Sequence, residues 1–230
     1  MSVGLFAYPR QAAFGRNLPK RKIYEHAQLT TAMRHKFVTQ IEKVVWQYKL
    51  APETINLQSR KSAPEIEVFT ITLKKPNFGT EILRVIDTAI PFPIIHEVVC
   101  DGRIKVAAAF KRPSEADSSK WVTDIYFETQ WQKLDAMRKP LPMTLDLGRL
   151  YEQILRELMP IAQRRREALA DQVQRITLIR GKQSEASKLD ARLKREKQFN
   201  RKVEINAQLR SVRKQIEVLS SAHPTGVASK

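Results

Sequence analysis

Three acidic residues and a lysine in the first half of the chain could serve a metal-dependent nuclease. Glu65 and Glu67 open the run EIEVFTITL, which Lys74 follows, and Asp87 lies in the next apolar segment. Such a site commonly needs a carboxylate two residues before a strand lysine, because the acid holds Mg²⁺ while the lysine polarises the attacking water. Thr72 occupies that position. A nuclease with a degenerate site is therefore only the second alternative to the non-catalytic function that the rest of the sequence favours.

The other residue types that commonly carry catalysis form no recognisable motif. The histidines are His26, His35, His96 and His223, and no two have the spacing of a helical metal site. His96 is interpreted as a satisfied core histidine and Cys100 as a packing residue. The seven glycines form no phosphate-binding loop. We therefore predict no catalytic residue, no metal site and no cofactor.

Positive charge is the strongest functional signal in the sequence. The 230 residues carry a formal net charge of +17 at pH 7, and 19 of the Lys and Arg residues fall in residues 146–230 against 10 Asp or Glu. Cations laid on phosphates release condensed counterions, so this chain attracts polyanions. Nucleic acid, and DNA first, is the predicted partner. A solvated helix face or docking on an acidic protein would explain the same charge.

Two basic clusters in the C-terminal part supply the predicted contacts to nucleic acid. Neither forms a motif that reads bases, so binding is predicted to be independent of sequence. The predicted nucleic-acid-binding residues are Arg164, Arg165, Arg166, Arg192, Lys194, Arg195, Lys197, Arg201 and Lys202.

The elements before residue 140 predict the α+β class. Thr30 is a plausible N-cap, and apolar steps of three and four from Met33 to Tyr48 predict one helix. EIEVFTITL and PFPIIHEVVC predict strands on either side of a helix, which favours a parallel crossover. Asp101 and Gly102 predict a tight hairpin, and WVTDIYFETQW a fourth strand. We therefore expect a small mixed sheet of about four strands with helices on one face.

The prolines of RKPLPMT, residues 138–144, mark a boundary between this domain and a C-terminal helical region. The predicted regions are an N-terminal arm (1–22), the α+β domain (23–140), a basic helical hairpin or coiled-coil arm (146–220) and a disordered tail (221–230). Within the arm, Pro160 and Gly181 are predicted to end helices, and the last helix is predicted to run from about Ser184 to Ser220.

Two apolar stripes lie on opposite sides of that last helix. Leu189, Leu193, Val203 and Ala207 form the first at about 100° per residue. In the second stripe, which begins at Ile205, apolar residues recur in alternating steps of four and three, the spacing of a heptad seam. The helix is predicted to bend or unwind near Asn200, or its halves to face different neighbours. A hairpin would bury the first stripe and leave the seam to a partner, to the folded domain or to another copy. The predicted partner-binding residues are Ile205, Leu209, Val212, Ile216 and Leu219.

Cysteine content and hydropathy favour the cytoplasm. Cys100 is the only cysteine, so no disulfide forms within the chain. The first 16 residues do not resemble a secretory signal, and no stretch approaches the ~18 apolar residues of a membrane span. A cytoplasmic protein without a membrane partner is predicted.

Six stretches between residue 22 and about residue 210 carry a resemblance. They are KIYEHAQL, WQYKLAPETINL, EIEVFTITLK, VIDTAIPFPIIHE, YFETQW and REKQFNRKVEINAQLR. In this order they resemble the bacterial family catalogued as domain of unknown function 4391. The resemblance implies no catalytic residues. It implies gene neighbours such as helicases and DNA methyltransferases in antiphage or restriction-like clusters.

These observations together predict a non-catalytic accessory subunit of a DNA-directed complex. It would contact a protein partner, such as a helicase or methyltransferase, through the seam, and phosphates through the basic clusters. The alternative is a purely structural adaptor that makes no contact with nucleic acid.

Overall fold

A computed structural model describes residues 4–27, 29–117 and 120–221. The chain forms two compact units, Met1–Met159 and Pro160–Lys230. The boundary follows the helix Leu147–Leu158, which the sequence-based prediction had grouped with the C-terminal helices. The predicted disordered tail lies outside the described residues except for Ser221.

A seven-stranded mixed sheet forms the centre of the first unit. Mixed helices and strands are confirmed, but the prediction of about four strands is wrong. Within the described strands of this sheet, only β4 (Ile66–Leu73) and β5 (Ile94–Cys100) pair in parallel. Six strands lie in sequence order, and the seventh, β8 (Gln132–Lys133), also pairs with β6 (Arg103–Pro113). The strands are β2 (Ala13–Asn17), β3 (Ile41–Leu50), β4 (Ile66–Leu73), β5 (Ile94–Cys100), β6 (Arg103–Pro113), β7 (Trp121–Glu128) and β8 (Gln132–Lys133).

Helices cover both faces of the sheet, so the prediction of helices on one face is wrong. Three helices share one apolar core with Ala107 of β6. Val106 points to the opposite face, where it and Leu158 of the fifth helix both lie against Gly4. The helices of this unit are α1 (Lys20–Ala27), α2 (Thr31–Gln40), α3 (Pro52–Ile55), α4 (Thr80–Ala89) and α5 (Leu147–Leu158), and those in the shared core are α1, α2 and α4.

One predicted helix is in fact a helix followed by a strand. The N-cap is confirmed, because the hydroxyl of Thr30 accepts a hydrogen bond from the Met33 N–H at 3.2 Å. The helix then ends at Gln40, and residues 41–50 form β3 between β2 and β4. This segment, IEKVVWQYKL, is rich in β-branched and aromatic residues. Hydrogen bonds to two neighbouring strands therefore prevail over the helical spacing.

The crossover and the hairpin are both confirmed. β4, α4 and β5 form the predicted parallel unit. Asp101 and Gly102 have φ of 48° and 68°, the left-handed values that a tight hairpin between right-twisted strands requires. The local signals were sufficient here because adjacent elements pair with each other.

The N-terminal arm is part of the fold. Strand β1 (Phe6–Ala7) pairs in parallel with β9 (Lys139–Pro140), and β2 pairs with β3. Arg138 donates to the carbonyl of Phe6 at 2.9 Å and to both carboxylate oxygens of Glu97 at 2.6 and 2.9 Å. The described part of the segment predicted as an N-terminal arm therefore contributes two strands to the first unit.

The second unit is a hairpin of α6 (Leu169–Arg195) and α7 (Phe199–Ser220). An interruption near Asn200 is confirmed, because residues 196–198 form the turn. The predicted break at Gly181 is wrong, since α6 continues through it. A single helical glycine costs only about 1 kcal/mol relative to alanine, which the rest of a long helix offsets.

The heptad seam closes this hairpin, contrary to the expectation that the first stripe would. Ile205, Leu209 and Val212 are buried where α7 packs against α6, whereas Val203 and Ala207 are exposed. The position of the turn explains why the seam is buried instead of the first stripe. With the reversal at residues 196–198 instead of Gly181, a different face of α7 meets α6.

Candidate nucleic-acid interface

The turn of the hairpin gathers six of the nine predicted cations. We call residues 192–203 the hairpin tip. It joins the last residues of α6 to the first turn of α7. All six side chains are exposed. They are Arg192, Lys194, Arg195, Lys197, Arg201 and Lys202.

The only acid of the hairpin tip, Glu196, is bound to the backbone of the turn. Its carboxylate accepts hydrogen bonds from the N–H groups of Lys197 and Gln198, both at 2.9 Å. The Gln198 hydrogen bond is the main cause that lowers the pKa of Glu196, and nearby arginines lower it further. Glu196 therefore stabilises the start of α7 without forming a side-chain ion pair.

Five of the six cations make no side-chain hydrogen bond or ion pair with the described part of the chain. The exception is Lys194, which lies 2.7 Å from Asp190 one turn earlier. Solvent screens an exposed pair of this kind, so an external anion can compete for Lys194. The hairpin tip therefore offers positive charge that the described fold leaves almost unused.

Phe199, which the sequence reasoning missed, lies within this cluster. Among the described aromatic side chains it alone is exposed, at 76%. It is the first residue of α7 and precedes Arg201 and Lys202 in the same turn. The available signal was an aromatic residue between cations in KQFNRK. Many amphipathic helices contain such a stretch, so the sequence points to Phe199 only once the position of the turn is known.

The remaining predicted cations lie at the other end of the hairpin. Arg164 is half-buried and donates to the carbonyls of Val218 at 2.8 Å and Ser221 at 3.1 Å. It thus caps the C-terminus of α7, where a cation is favourable. Arg165 and Arg166 are exposed. The length of α7, about 30 Å at 1.5 Å per residue, separates this cluster from the hairpin tip.

Arg175 holds the same end of the hairpin together. Its guanidinium is buried and donates to both carboxylate oxygens of Glu167, at 2.7 and 2.8 Å. It also donates to the carbonyls of Leu219 at 2.9 Å and Ala162 at 2.8 Å. One side chain therefore joins the segment before α6 to the end of α7.

We expect Arg175→Lys to lower the protection of α7 amides from hydrogen exchange by about 2 kcal/mol. Lysine keeps the charge but cannot make the planar two-point contact with Glu167 and reach both carbonyls. Exchange of α5 amides in the same sample serves as the internal reference, and the exposed Arg165→Lys is the matched control. Equal protection of α7 in both variants would contradict this role.

The predicted partner-binding seam is divided by the hairpin. Ile205, Leu209 and Val212 are buried within the unit, whereas Ile216 and Leu219 are half-buried. A groove of about 490 Å³ remains open beside Leu219. Its lining is Leu178, Lys182, Ser211, Lys214, Gln215, Val218 and Leu219.

Asp87, one of the acids considered for a nuclease, is enclosed in a buried polar cluster. Its carboxylate accepts from the Tyr126 hydroxyl at 2.5 Å and contacts the His96 Nε2 at 2.9 Å. Lys111 Nζ lies 3.4 Å from the carboxylate and donates to the Asp87 carbonyl at 2.6 Å and to the Ile90 carbonyl. These side chains are at most 6% exposed.

The cluster behaves as a buried ion pair. Burial alone would raise the pKa of Asp87, but His96 and Lys111 outweigh it and the pKa is lowered. Burial also lowers the pKa of Lys111, and Asp87 offsets part of that shift. Lys111 in addition caps the C-terminus of α4, where its charge meets the last carbonyls. The cluster therefore ties α4 to three strands.

The other residues considered for a nuclease are not brought to one open site. Glu67 is fully buried, and burial, followed by the nearby Glu65, raises its pKa to about 9. Glu65 pairs with Lys49 at 2.8 Å. Lys74 follows the far end of β4 and donates to the Val38 carbonyl at 2.8 Å. In the described ranges, no three His, Cys, Asp or Glu residues form a group that could hold a metal ion.

No helix in the described part of the chain is long and apolar enough to cross a bilayer.

Comparisons with known proteins give one match, to a family model. Neither a curated protein nor a solved structure matches the sequence. A family model described as "Domain of unknown function (DUF4391)" matches residues 6–216, which cover most of each unit and the whole hairpin tip. The chain therefore belongs to the DUF4391 family of domains of unknown function.

Proposed function

We propose that this chain is a binding module that contacts the phosphates of nucleic acid through the hairpin tip. One observation supports the proposal above the others. Six exposed cations surround one turn, and the single acid among them is occupied by backbone N–H groups. Each cation placed on a phosphate releases counterions, so this surface gains affinity from any strand.

The charge of the whole second unit supports the same partner. Residues 160–230 hold 17 Lys or Arg and 7 Asp or Glu. A field of this sign attracts polyanions and speeds their association. The side chains of the hairpin tip form no recognisable motif for hydrogen bonding to base edges, so the proposed contact is independent of base sequence. Such affinity suits an accessory subunit that holds a DNA-directed enzyme, such as a helicase or methyltransferase, on its substrate.

Neutralising the hairpin tip tests this function. In the variant Arg195→Gln, Arg201→Gln and Lys202→Gln, we expect affinity for a labelled duplex at low salt to fall about tenfold or more. The slope of log affinity against log salt should fall by about 3, one for each lost phosphate contact. Fluorescence anisotropy at several salt concentrations measures both quantities. Glutamine preserves helix propensity, so the hairpin should stay folded.

The matched control removes the same charge from the first unit. Lys22, Lys61 and Lys133 are exposed there, and their replacement by glutamine should leave affinity and salt slope nearly unchanged. An equal loss in both triple variants would mean that net charge alone binds the probe. Absence of binding by the unmodified chain to duplex and single strands at low salt would refute the function.

The groove at the opposite end favours a second candidate, a structural adaptor. Leu178 and Val218 are 51% and 42% exposed beside it, and Lys182 and Lys214 also line it. An apolar helix with acidic flanks would suit this surface. The adaptor replaces the first candidate if nucleic acid does not bind and Leu178→Asp abolishes capture of a partner encoded beside this chain.

A further inference from the structure

We infer that Phe199 makes the hairpin tip selective for nucleic acid with exposed base faces, such as single strands. Its ring stacks on an unpaired base while the surrounding cations hold the phosphates. This inference rests on the proposed function and names the substrate class of the same site.

The exposure of Phe199 is the first argument. The other described aromatic side chains are buried or half-buried, and several pack on each other, as Tyr8 does with Tyr48 and Phe14 with Trp46. Phe199 instead presents 76% of its surface to solvent. The hairpin does not use it, because the buried stripe of Ile205, Leu209 and Val212 is centred about 110° around the helix from Phe199.

The neighbours of Phe199 supply the second argument. Lys197 precedes it by two positions, and Arg201 and Lys202 share its turn of α7. Val203, one turn later, is 53% exposed and extends the apolar surface. A ring beside cations is the combination that binds single strands without sequence preference, because every base offers a π-face. Inside a duplex those faces are covered by neighbouring base pairs, so only the cations could act there.

An anionic membrane is the other surface that could accept a ring among cations. A helix that lies on a membrane needs an apolar face along its length. The apolar face of α7 is instead buried against α6, which leaves Phe199 and Val203 as its exposed large apolar residues near the turn. The small exposed apolar area of α7 near the turn therefore favours nucleic acid, and binding to vesicles is one arm of the test.

The experiment compares three variants of the full chain on two probes. The probes are labelled oligothymidine and a relaxed, covalently closed duplex that competes for binding. We expect Phe199→Ala to weaken oligothymidine binding about 5- to 150-fold, which is the range for loss of one stacked base. The salt slope should not change, since no phosphate contact is removed. Competition by the closed duplex should be equal to that of the unmodified chain.

Two further variants separate stacking from general apolar contact. Phe199→Trp should retain or improve oligothymidine binding, whereas Phe199→Leu should resemble Phe199→Ala. Full affinity of Phe199→Leu, or equal losses on both probes, would overturn the inference while the triple-glutamine result could still support the proposed function. Stronger, Phe199-dependent binding to phosphatidylserine vesicles than to oligothymidine would also overturn it. If no nucleic acid binds at low salt, both proposals fail together.

Discussion

Replacing Asp87 with asparagine is expected to lower the free energy of unfolding of the first unit by about 3–5 kcal/mol. The change leaves the buried Lys111 ammonium without its counter-charge, and the amide cannot accept from His96, Tyr126 and Lys111 as the carboxylate does. Removing one partner of a buried pair strands the other, which costs more than the pair itself contributes. The loss should therefore be large although the shape is preserved.

Tryptophan fluorescence in a urea titration measures this effect selectively. All three tryptophans, Trp46, Trp121 and Trp131, lie in the first unit, so the signal reports its unfolding alone. The exposed Asp135→Asn is the matched control and should change stability by less than about 0.5 kcal/mol. Combining Asp87→Asn with Lys111→Met should cost less than the two single changes added together. Additive costs would contradict a direct pair.

Stability should also depend on pH through Glu67, whose pKa in the folded chain is about 9. Between about pH 4.5 and pH 9 the unfolded chain releases this proton while the folded chain keeps it. The folded chain then binds more protons, so the free energy of unfolding falls as pH rises, by up to about 1.4 kcal/mol per pH unit. Burial and Glu65 raise this pKa more than the nearby Trp46 and Lys49 lower it.

The variant Glu67→Gln tests this dependence without a titratable group. Relative to the unmodified chain, we expect it to gain up to about 4 kcal/mol of stability on going from pH 5 to pH 8. Comparing the two pH values cancels any fixed cost of burying the amide. Tryptophan fluorescence again reports the first unit, and the exposed Glu115→Gln should show no such gain. Parallel pH profiles of Glu67→Gln and the unmodified chain would show that the folded acid is ionised.

The sequence predicted the elements whose partners are close along the chain. β4, α4 and β5 follow each other, and the turn at Asp101 and Gly102 has its own signal. Residues 41–50 were assigned wrongly because their strand depends on pairing with β2 and β4, which a helical spacing does not reveal. The same limit applies to β1, whose partner β9 lies near the end of the unit.

The candidate site was predictable in composition but not in arrangement. The cations could be identified by type, yet only the position of the turn shows that Arg192 and Lys202 share a surface and that Arg164 does not. The ion pair of Asp87 and Lys111 joins residues 24 positions apart, which no local pattern connects. Sequence reasoning therefore found the charge and missed the geometry that makes it usable.

The pairing of β1 with β9 has a consequence for how the chain is made. Phe6 and Arg138, which are linked by a hydrogen bond, are 132 positions apart. During synthesis the N-terminal segment leaves the ribosome long before its partner exists, so the first unit cannot be completed until the residues after 140 have emerged. The apolar side chains of Leu5 and Phe6, which are buried in the complete unit, therefore remain exposed to solvent during that interval. An N-terminal fusion partner or a chaperone bound there would change the yield of folded chain before it changed the stability of the finished one.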